Sequence, residues 1–233
     1  MSKVICFDLF STLVDVGSVP QSVGRLTADI LGMDREQWNA LCFSEHHEIC
    51  QPTVAADVIR TLVHQYHIPV DEALIQQASI ERQNRFDYAL QHHIQEDVLD
   101  GIKALKSNGY TLVLVSNAST AEVVAWPQSP LRSYFDHSVF SCTVGLKKPD
   151  IEIYEHACEL VNATPEDCIF VGDGGSNELI GAKKAGMTVL LMTRFLKDKK
   201  ASRLGLFQEY IDDDVSSTSE VLNWLRAECH CTG

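Results

Sequence analysis

No stretch of this 233-residue sequence approaches the roughly 20 consecutive apolar residues that a membrane-spanning helix needs. The N-terminus also lacks the basic segment and long apolar run of a secretory leader. Eight cysteines are present, but none of them forms a CxxC pair, which predicts reduced thiols and argues against a disulfide framework. We therefore expect a cytoplasmic protein with no membrane partner.

Basic residues are scarce, since 19 lysines and arginines stand against 32 aspartates and glutamates, for a formal charge of −13. A nucleic-acid site needs clustered positive charge to neutralise phosphates. The composition therefore predicts no nucleic-acid partner and favours a small-molecule substrate, held by a few local groups if it is anionic. It indicates no particular oligomeric state.

Lysine is absent from one long region, because none occurs between Lys3 and Lys103, and the same region holds six of the nine histidines. It shows no strand pattern. Apolar residues recur there at helical spacing, at Val54, Val58, Leu62 and Tyr66. We predict an all-helical subdomain over residues 15–96, called the helical insert below.

Short apolar runs recur in the remaining sequence, with helical segments between them. They occupy residues 4–7, 111–115, 138–140, 168–171 and 188–192. Strands that alternate with helices predict an α/β fold with a doubly wound parallel sheet and right-handed crossovers. This core is expected to comprise residues 1–14 and 97–233.

Two of these runs end directly in polar side chains. Asp8 follows the first run, and Ser116 and Asn117 follow the second. Open α/β sheets bind ligands at the carboxyl ends of their strands, so Asp8 is a candidate nucleophile. A strand-end hydroxyl can bind a phosphoryl or carboxylate oxygen, although serine and asparagine equally suit a plain turn or a helix cap.

Two later segments bring a lysine and further carboxylates. Lys148 precedes Pro149 and a predicted helix, and it can neutralise charge on a transferred group or be an ordinary solvated lysine. Asp173 ends another apolar run in a glycine-rich turn, with Glu178 shortly after it. Two carboxylates so placed suit Mg²⁺, whereas the alternative is a Rossmann-type turn with an incidental acid.

Taken in order, the four segments resemble the four motifs of the haloacid dehalogenase superfamily, hydrolases that form a covalent aspartyl intermediate. The resemblance extends from Asp8 to Gly186. It implies a Rossmann-like core of the haloacid dehalogenase type, and it identifies the helical insert with the mobile C1 cap of subfamily I.

The resemblance also implies a role for each matching residue. The catalytic set is Asp8 as nucleophile with Lys148 and Ser116. The substrate-binding set is Thr12, Ser116 and Asn117. The implied Mg²⁺ ligands are Asp8, the main-chain carbonyl of Phe10, Asp173 and, through a water, Glu178.

One residue departs from the superfamily pattern, because Phe10 stands where its phosphatases carry an aspartate that acts as general acid and base. Losing such a group typically costs on the order of 10² to 10⁴ in rate. Either the leaving group needs no protonation, or another residue, such as His46, His47 or Glu178, supplies the proton.

Three functions stay open on this basis. The first is an Mg²⁺-dependent phosphatase acting on a small phosphorylated metabolite. The second is a metal-independent 2-haloacid dehalogenase, whose halide needs no proton and whose carboxylate site would use Arg25 or Arg60. The third is a non-catalytic binding or regulatory protein. Phosphonoacetaldehyde hydrolase is excluded, because its Schiff base requires a lysine in the insert.

Overall fold

A computed structural model describes residues 4–231 of the chain, and its centre is one sheet of six parallel strands. The strands are β1 (Val4–Phe7), β2 (Thr111–Ser116), β3 (His137–Phe140), β4 (Cys168–Gly172), β5 (Thr188–Met192) and β6 (Asp213–Val215). Their order is β3-β2-β1-β4-β5-β6. The doubly wound parallel α/β sheet predicted from the sequence is confirmed.

The sixth strand was not predicted. Asp213 and Asp214 show no apolar pattern in the sequence, but they pair with Leu190 and Leu191 of β5. An edge strand has one free side, so it tolerates exposed charged side chains. Only Val215 of this strand is buried.

The two faces of the sheet are covered by separate hydrophobic cores. Ile5 and Phe7 of β1 point into one core, and Cys6 of the same strand points into the other. All four residues of β1 are buried, as expected for a central strand of a parallel sheet covered on both faces. Burial on both faces holds the central strands in place, and the polar side chains predicted for the site follow directly after these strands.

Eleven α-helices lie within the described residues. They are α1 (Thr27–Leu31), α2 (Arg35–Cys42), α3 (Ala55–Gln65), α4 (Glu72–His92), α5 (Glu96–Ser107), α6 (Thr120–Val123), α7 (Ser141–Val144), α8 (Ile151–Glu159), α9 (Glu178–Ala185), α10 (Lys200–Phe207) and α11 (Thr218–Cys231). None of these helices is long and apolar enough to cross a membrane.

The helical insert contains α1 to α4 and has a hydrophobic core of its own, in which Leu62 and Ile75 are buried. The long helix α4 belongs to two cores, since its later residues Ala89 and Leu90 pack in the core under the sheet. The all-helical character of the insert is as predicted. Its limits at residues 15 and 96 stay a prediction.

An arginine on α4 ties down the chain that enters the insert. The guanidinium of Arg85 donates hydrogen bonds to the carbonyls of Val16, Val19 and Gly24 at 2.8–2.9 Å. The backbone is so close to α4 that a Cβ on Gly24 would lie 2.5 Å from the carbonyl oxygen of Glu81. Glycine is therefore required there, and the entry segment is fixed along its length.

Candidate active site

Three central strands bring their carboxyl ends side by side. In the order β2-β1-β4, Phe7 is level with Leu114 and with Val171, so the residues just beyond these positions are neighbours. The amide of Asp8 donates to the carbonyl of Val171 at 2.9 Å, which extends the ladder one residue past β1. The chain then turns away, and the Asp8 side chain is left at the strand end.

Both carboxylate oxygens of Asp8 have partners. Thr12 donates its hydroxyl to Oδ2 at 2.7 Å, and the Lys148 ammonium lies 2.6 Å from Oδ1. Asp8 is only 5% exposed. These two contacts hold the carboxylate in one orientation, which a nucleophile for in-line attack requires.

Lys148 is buried, with 3% of its surface exposed, and its main chain is held by Asn117. The Asn117 amide donates to the Lys148 carbonyl and accepts from the Lys148 amide, both at 2.8 Å. Burial alone would lower the pKa of the Lys148 ammonium, but the carboxylates of Asp8 and Glu178 outweigh it and raise the pKa. Lys148 therefore carries its positive charge into the site.

Glu178 lies at the start of α9 and is 1% exposed. One of its oxygens contacts the Lys148 ammonium, and the other accepts from the amide of Gly174 at 3.0 Å. A Cβ on Gly172 would lie 2.2 Å from Glu178 Oε1, so the glycine makes room for this carboxylate. Burial and the nearby charge of Asp8 raise the pKa of Glu178 to about 8.

Asp173 completes a cluster of three buried carboxylates. Its Oδ1 accepts from the amide of Gly175 at 3.0 Å, and burial, with the charge of Asp8, raises its pKa. One oxygen from each of Asp8, Asp173 and Glu178 lies within 4.8 Å of the other two.

The donor set of this cluster fits a divalent cation. Three carboxylates face a single lysine, and burial, followed by the nearby charge of Asp8, raises the pKa values of Asp173 and Glu178. Oxygen ligands of this kind suit a hard cation such as Mg²⁺. The Phe10 carbonyl, a further implied ligand, accepts no main-chain hydrogen bond from the described part of the chain.

Ser116 ends β2 with an unsatisfied hydroxyl. The residue is 1% exposed, and its Oγ finds no hydrogen-bond partner among the residues that the structure describes. Buried hydroxyls are almost always paired in native structures. A ligand oxygen would satisfy this one, and the substrate-binding role of Ser116 stays a prediction.

The ring of Phe10 packs against the helical insert. It meets the ring of Phe86 on α4 edge to face, with centroids 5.2 Å apart and planes at 85°. The guanidinium of Arg82 stands 4.8 Å from the centroid of the Phe86 ring and pairs with Glu122 on α6. Phe10 thus joins the loop that follows Asp8 to the insert.

A cavity of about 820 Å³ lies between the strand ends and the insert. Asp8, Lys148 and Asp173 line it from the core. From the insert, its lining includes His47, which burial keeps at a lowered pKa. His46 instead packs on Tyr66, away from this lining.

The arginines proposed for a carboxylate site lie elsewhere. Arg25 pairs with Glu81 on the surface of the insert, and Arg60 pairs with Asp57 and Glu72. Neither of the two arginines lines the cavity described above. This alternative for Arg25 and Arg60 is therefore wrong, because both guanidinium groups are engaged on the outer surface.

Other arginines line the cavity and were missed from the sequence. Arg82 and Arg85 occupy neighbouring turns of α4, and Arg203 on α10 donates to the carbonyl of Gly174 at 2.9 Å. The signal for the first two was their spacing of three residues, with Phe86 next to them, on one predicted helix face. No motif marks Arg203.

Comparison with known proteins assigns the family. The family model for haloacid dehalogenase-like hydrolases matches residues 2–186, and the chain belongs to this family. A glyceraldehyde 3-phosphate phosphatase of Methanothermobacter thermautotrophicus is 33% identical over 124 residues, 51% of this chain and 54% of that relative. The match therefore spans about half the length of that relative. A phosphoglycolate phosphatase of Chromobacterium violaceum is 27% identical over 96% of both chains.

Solved structures share the fold at low identity. A phosphatase of the superfamily from Thermococcus onnurineus has a TM-score of 0.61 and 20% identity, covering 96% of this chain and 97% of that one. The L-2-haloacid dehalogenase of Xanthobacter autotrophicus has a TM-score of 0.65 and 18% identity, covering 97% and 99%. The same fold therefore occurs with both of the chemistries considered above.

Proposed function

We propose that the protein is an Mg²⁺-dependent phosphatase that acts on a small phosphorylated metabolite through an aspartyl phosphate. The buried group of Asp8, Lys148 and Ser116 carries the proposal, because it joins an oriented carboxylate, a cation and an unsatisfied donor. Two relatives named for small phosphorylated metabolites, glyceraldehyde 3-phosphate and phosphoglycolate, support the substrate class.

Asp8 attacks phosphorus with its carboxylate, and the bond from phosphorus to the leaving oxygen breaks. Ser116 Oγ donates to one phosphoryl oxygen. An ammonium has three N–H donors, of which Lys148 uses two on Asp8 and Glu178, and the third supports another oxygen. Thr12 keeps Asp8 oriented throughout.

The cation would be held by Asp8, Asp173 and the Phe10 carbonyl, with Glu178 completing the acidic cluster. When bound, Mg²⁺ supplies positive charge for the phosphoryl oxygens. We assign Glu178 a second role in positioning Lys148, and we assign Asn117 the same role through its two bonds to the Lys148 main chain. Substrate binding by Asn117 stays a prediction.

Hydrolysis of 4-nitrophenyl phosphate, measured with Mg²⁺ and with a chelator, tests this function. The nitrophenolate leaves without protonation, so the missing acid at position 10 does not limit the assay. Turnover that needs metal and is lost in Asp8→Asn supports the proposal. No turnover under either condition rejects it.

A 2-haloacid dehalogenase is the second candidate, favoured by Phe10 and by Arg85. Among the described side chains no carboxylate forms a salt bridge with Arg85, whose guanidinium donates to three carbonyls and lies beside the cavity. Release of halide from 2-chloropropionate without metal would establish this activity. Absence of both reactions would favour a non-catalytic role.

A further inference from the structure

The wall of the cavity next to the insert is rich in aromatic rings. Phe10, Trp38 and Phe86 all line the cavity, and the rings of Phe10 and Phe86 are in edge-to-face contact. Arg82 covers Phe86 and is itself neutralised by Glu122. A group entering from this side therefore meets ring surfaces at the position where a carboxyl side chain was expected.

In-line displacement sends the leaving group toward that wall. Asp8 approaches phosphorus from the core, where Thr12 and Lys148 hold its oxygens. The leaving oxygen must depart on the opposite side of phosphorus, and the opposite side of the cavity is formed by the insert. The aromatic wall therefore receives the leaving group.

The insert side of the cavity offers only a weak proton donor for the leaving oxygen. His47 lines the cavity, and the charged groups that act on its imidazole are Glu122 on α6 and Arg82 and Glu48 of the insert. Burial lowers the pKa of His47, so the imidazole is neutral near pH 7 and is a weak acid. Glu178, the other candidate acid at the cavity, has its two oxygens engaged by the Lys148 ammonium and the Gly174 amide on the core side, so the leaving group departs as an anion.

We propose that the preferred substrates are phosphate monoesters of phenols, whose ring packs among Phe10, Trp38 and Phe86 and whose oxygen leaves as a phenoxide. This inference rests on the proposed phosphatase function. Asp8 gains the phosphoryl group, and the phenoxide takes the electron pair of the broken bond. Water then attacks phosphorus, the Asp8 carboxylate is released, and both protons of the water remain on the phosphate.

Three substrates of similar size test the inference. Phosphate release from phenyl, benzyl and cyclohexylmethyl phosphate is measured with Mg²⁺ as kcat/KM. Phenyl phosphate leaves as a phenoxide, whereas the other two leave as alkoxides, with and without an aromatic ring. We expect phenyl phosphate to exceed benzyl phosphate by at least about 10²-fold, the scale of a missing general acid. Benzyl phosphate should in turn have a lower KM than cyclohexylmethyl phosphate.

Two variants of one position separate acid chemistry from packing. Phe10→Asp restores a carboxyl group and should narrow the ratio of phenyl to benzyl phosphate. Phe10→Leu is the matched control. It restores no carboxyl group, so it should keep the phenyl to benzyl ratio of kcat/KM while raising KM for both aromatic esters. If Phe10→Asp does not fold, the ratio in the unmodified protein still decides.

The outcomes also separate the inference from the proposed function. Phosphate release from phenyl and benzyl phosphate at rates within about tenfold would overturn the inference and leave the phosphatase standing, because an acid would then be at work. No release from any ester, 4-nitrophenyl phosphate included, would overturn both.

Discussion

The sheet edge and the helical insert supply different chemistry to the same cavity. Within residues 4–231, every charged side chain that contacts Asp8 or Lys148 comes from the core, and each is fixed by a strand end or by main-chain hydrogen bonds. The insert supplies aromatic rings and arginines that are themselves engaged by carbonyls or by Glu122. On the proposed function, the sheet edge would carry the reaction and the insert would select the substrate.

Asp8→Asn should remove the chemistry supplied by the core and have the largest effect. The amide cannot act as the nucleophile, so kcat should fall by at least about 10⁴-fold, as for other nucleophile removals. The measurement is single-turnover phosphate release. Asp34→Asn is the matched control, because Asp34 is an exposed helix cap in the insert and asparagine caps equally well. An active Asp8→Asn protein would contradict the site.

Lys148→Met should have the next largest effect. It leaves the carboxylates of Asp8 and Glu178 facing each other without a cation, and we expect kcat to fall by about 10² to 10³-fold. Steady-state kinetics check this. Lys147→Met makes the same change at the neighbouring residue, which forms no ion pair with the described residues, and should leave kcat unchanged. Equal losses in both variants would contradict a specific role for Lys148.

Arg85→Met tests the insert side. The carbonyls of Val16, Val19 and Gly24 would lose their donor, and we expect the free energy of unfolding to fall by roughly 2–4 kcal/mol. Urea unfolding gives the value, and proteolysis within residues 16–24 should accelerate. Arg25→Met removes an exposed arginine of the insert and should have no measurable effect. Unchanged proteolysis in Arg85→Met would show that the entry segment is held by other contacts.

Binding of Mg²⁺ should have the smallest effect, a modest rise in the free energy of unfolding and in Tm. At a concentration about tenfold above its dissociation constant, the ion stabilises the folded state by about 1.4 kcal/mol and raises Tm by about 3–5 °C. Calorimetry with and without a chelator measures this without any substrate. Asp173→Asn should abolish the shift, because it removes one carboxylate of the cluster. A full shift in this variant would place the ion elsewhere.

Much of the core could be predicted because its signals are local. An apolar strand followed by Asp8 or Asp173 places a carboxylate at the sheet edge wherever neighbouring strands pair in parallel. The edge strand at Asp213 was not predicted, because it pairs with the free hydrogen-bonding edge of β5 and has no apolar pattern of its own.

The remainder of the site depends on contacts between distant residues. The direction of the Phe10 ring is set by Phe86, 76 positions along the chain, and no pattern around either residue indicates the pair. Glu178 was predicted to bind metal through a water, and that role stays a prediction. Its contacts with Lys148 and Gly174 arise from how α9 packs, which no local signal reveals.

The sharing of α4 between two cores has a mechanical consequence. Residues 89 and 90 are clamped beneath the sheet, whereas Ile75 belongs to the core of the insert, about 22 Å away along the helix axis at 1.5 Å per residue. Helix α4 can therefore pivot about its sheet-side end, at residues 89 and 90. A tilt of about 5° about that end would displace Ile75 by about 2 Å. Such a tilt would widen the cavity mouth while the sheet end of α4, next to the core that carries Asp8, moves much less.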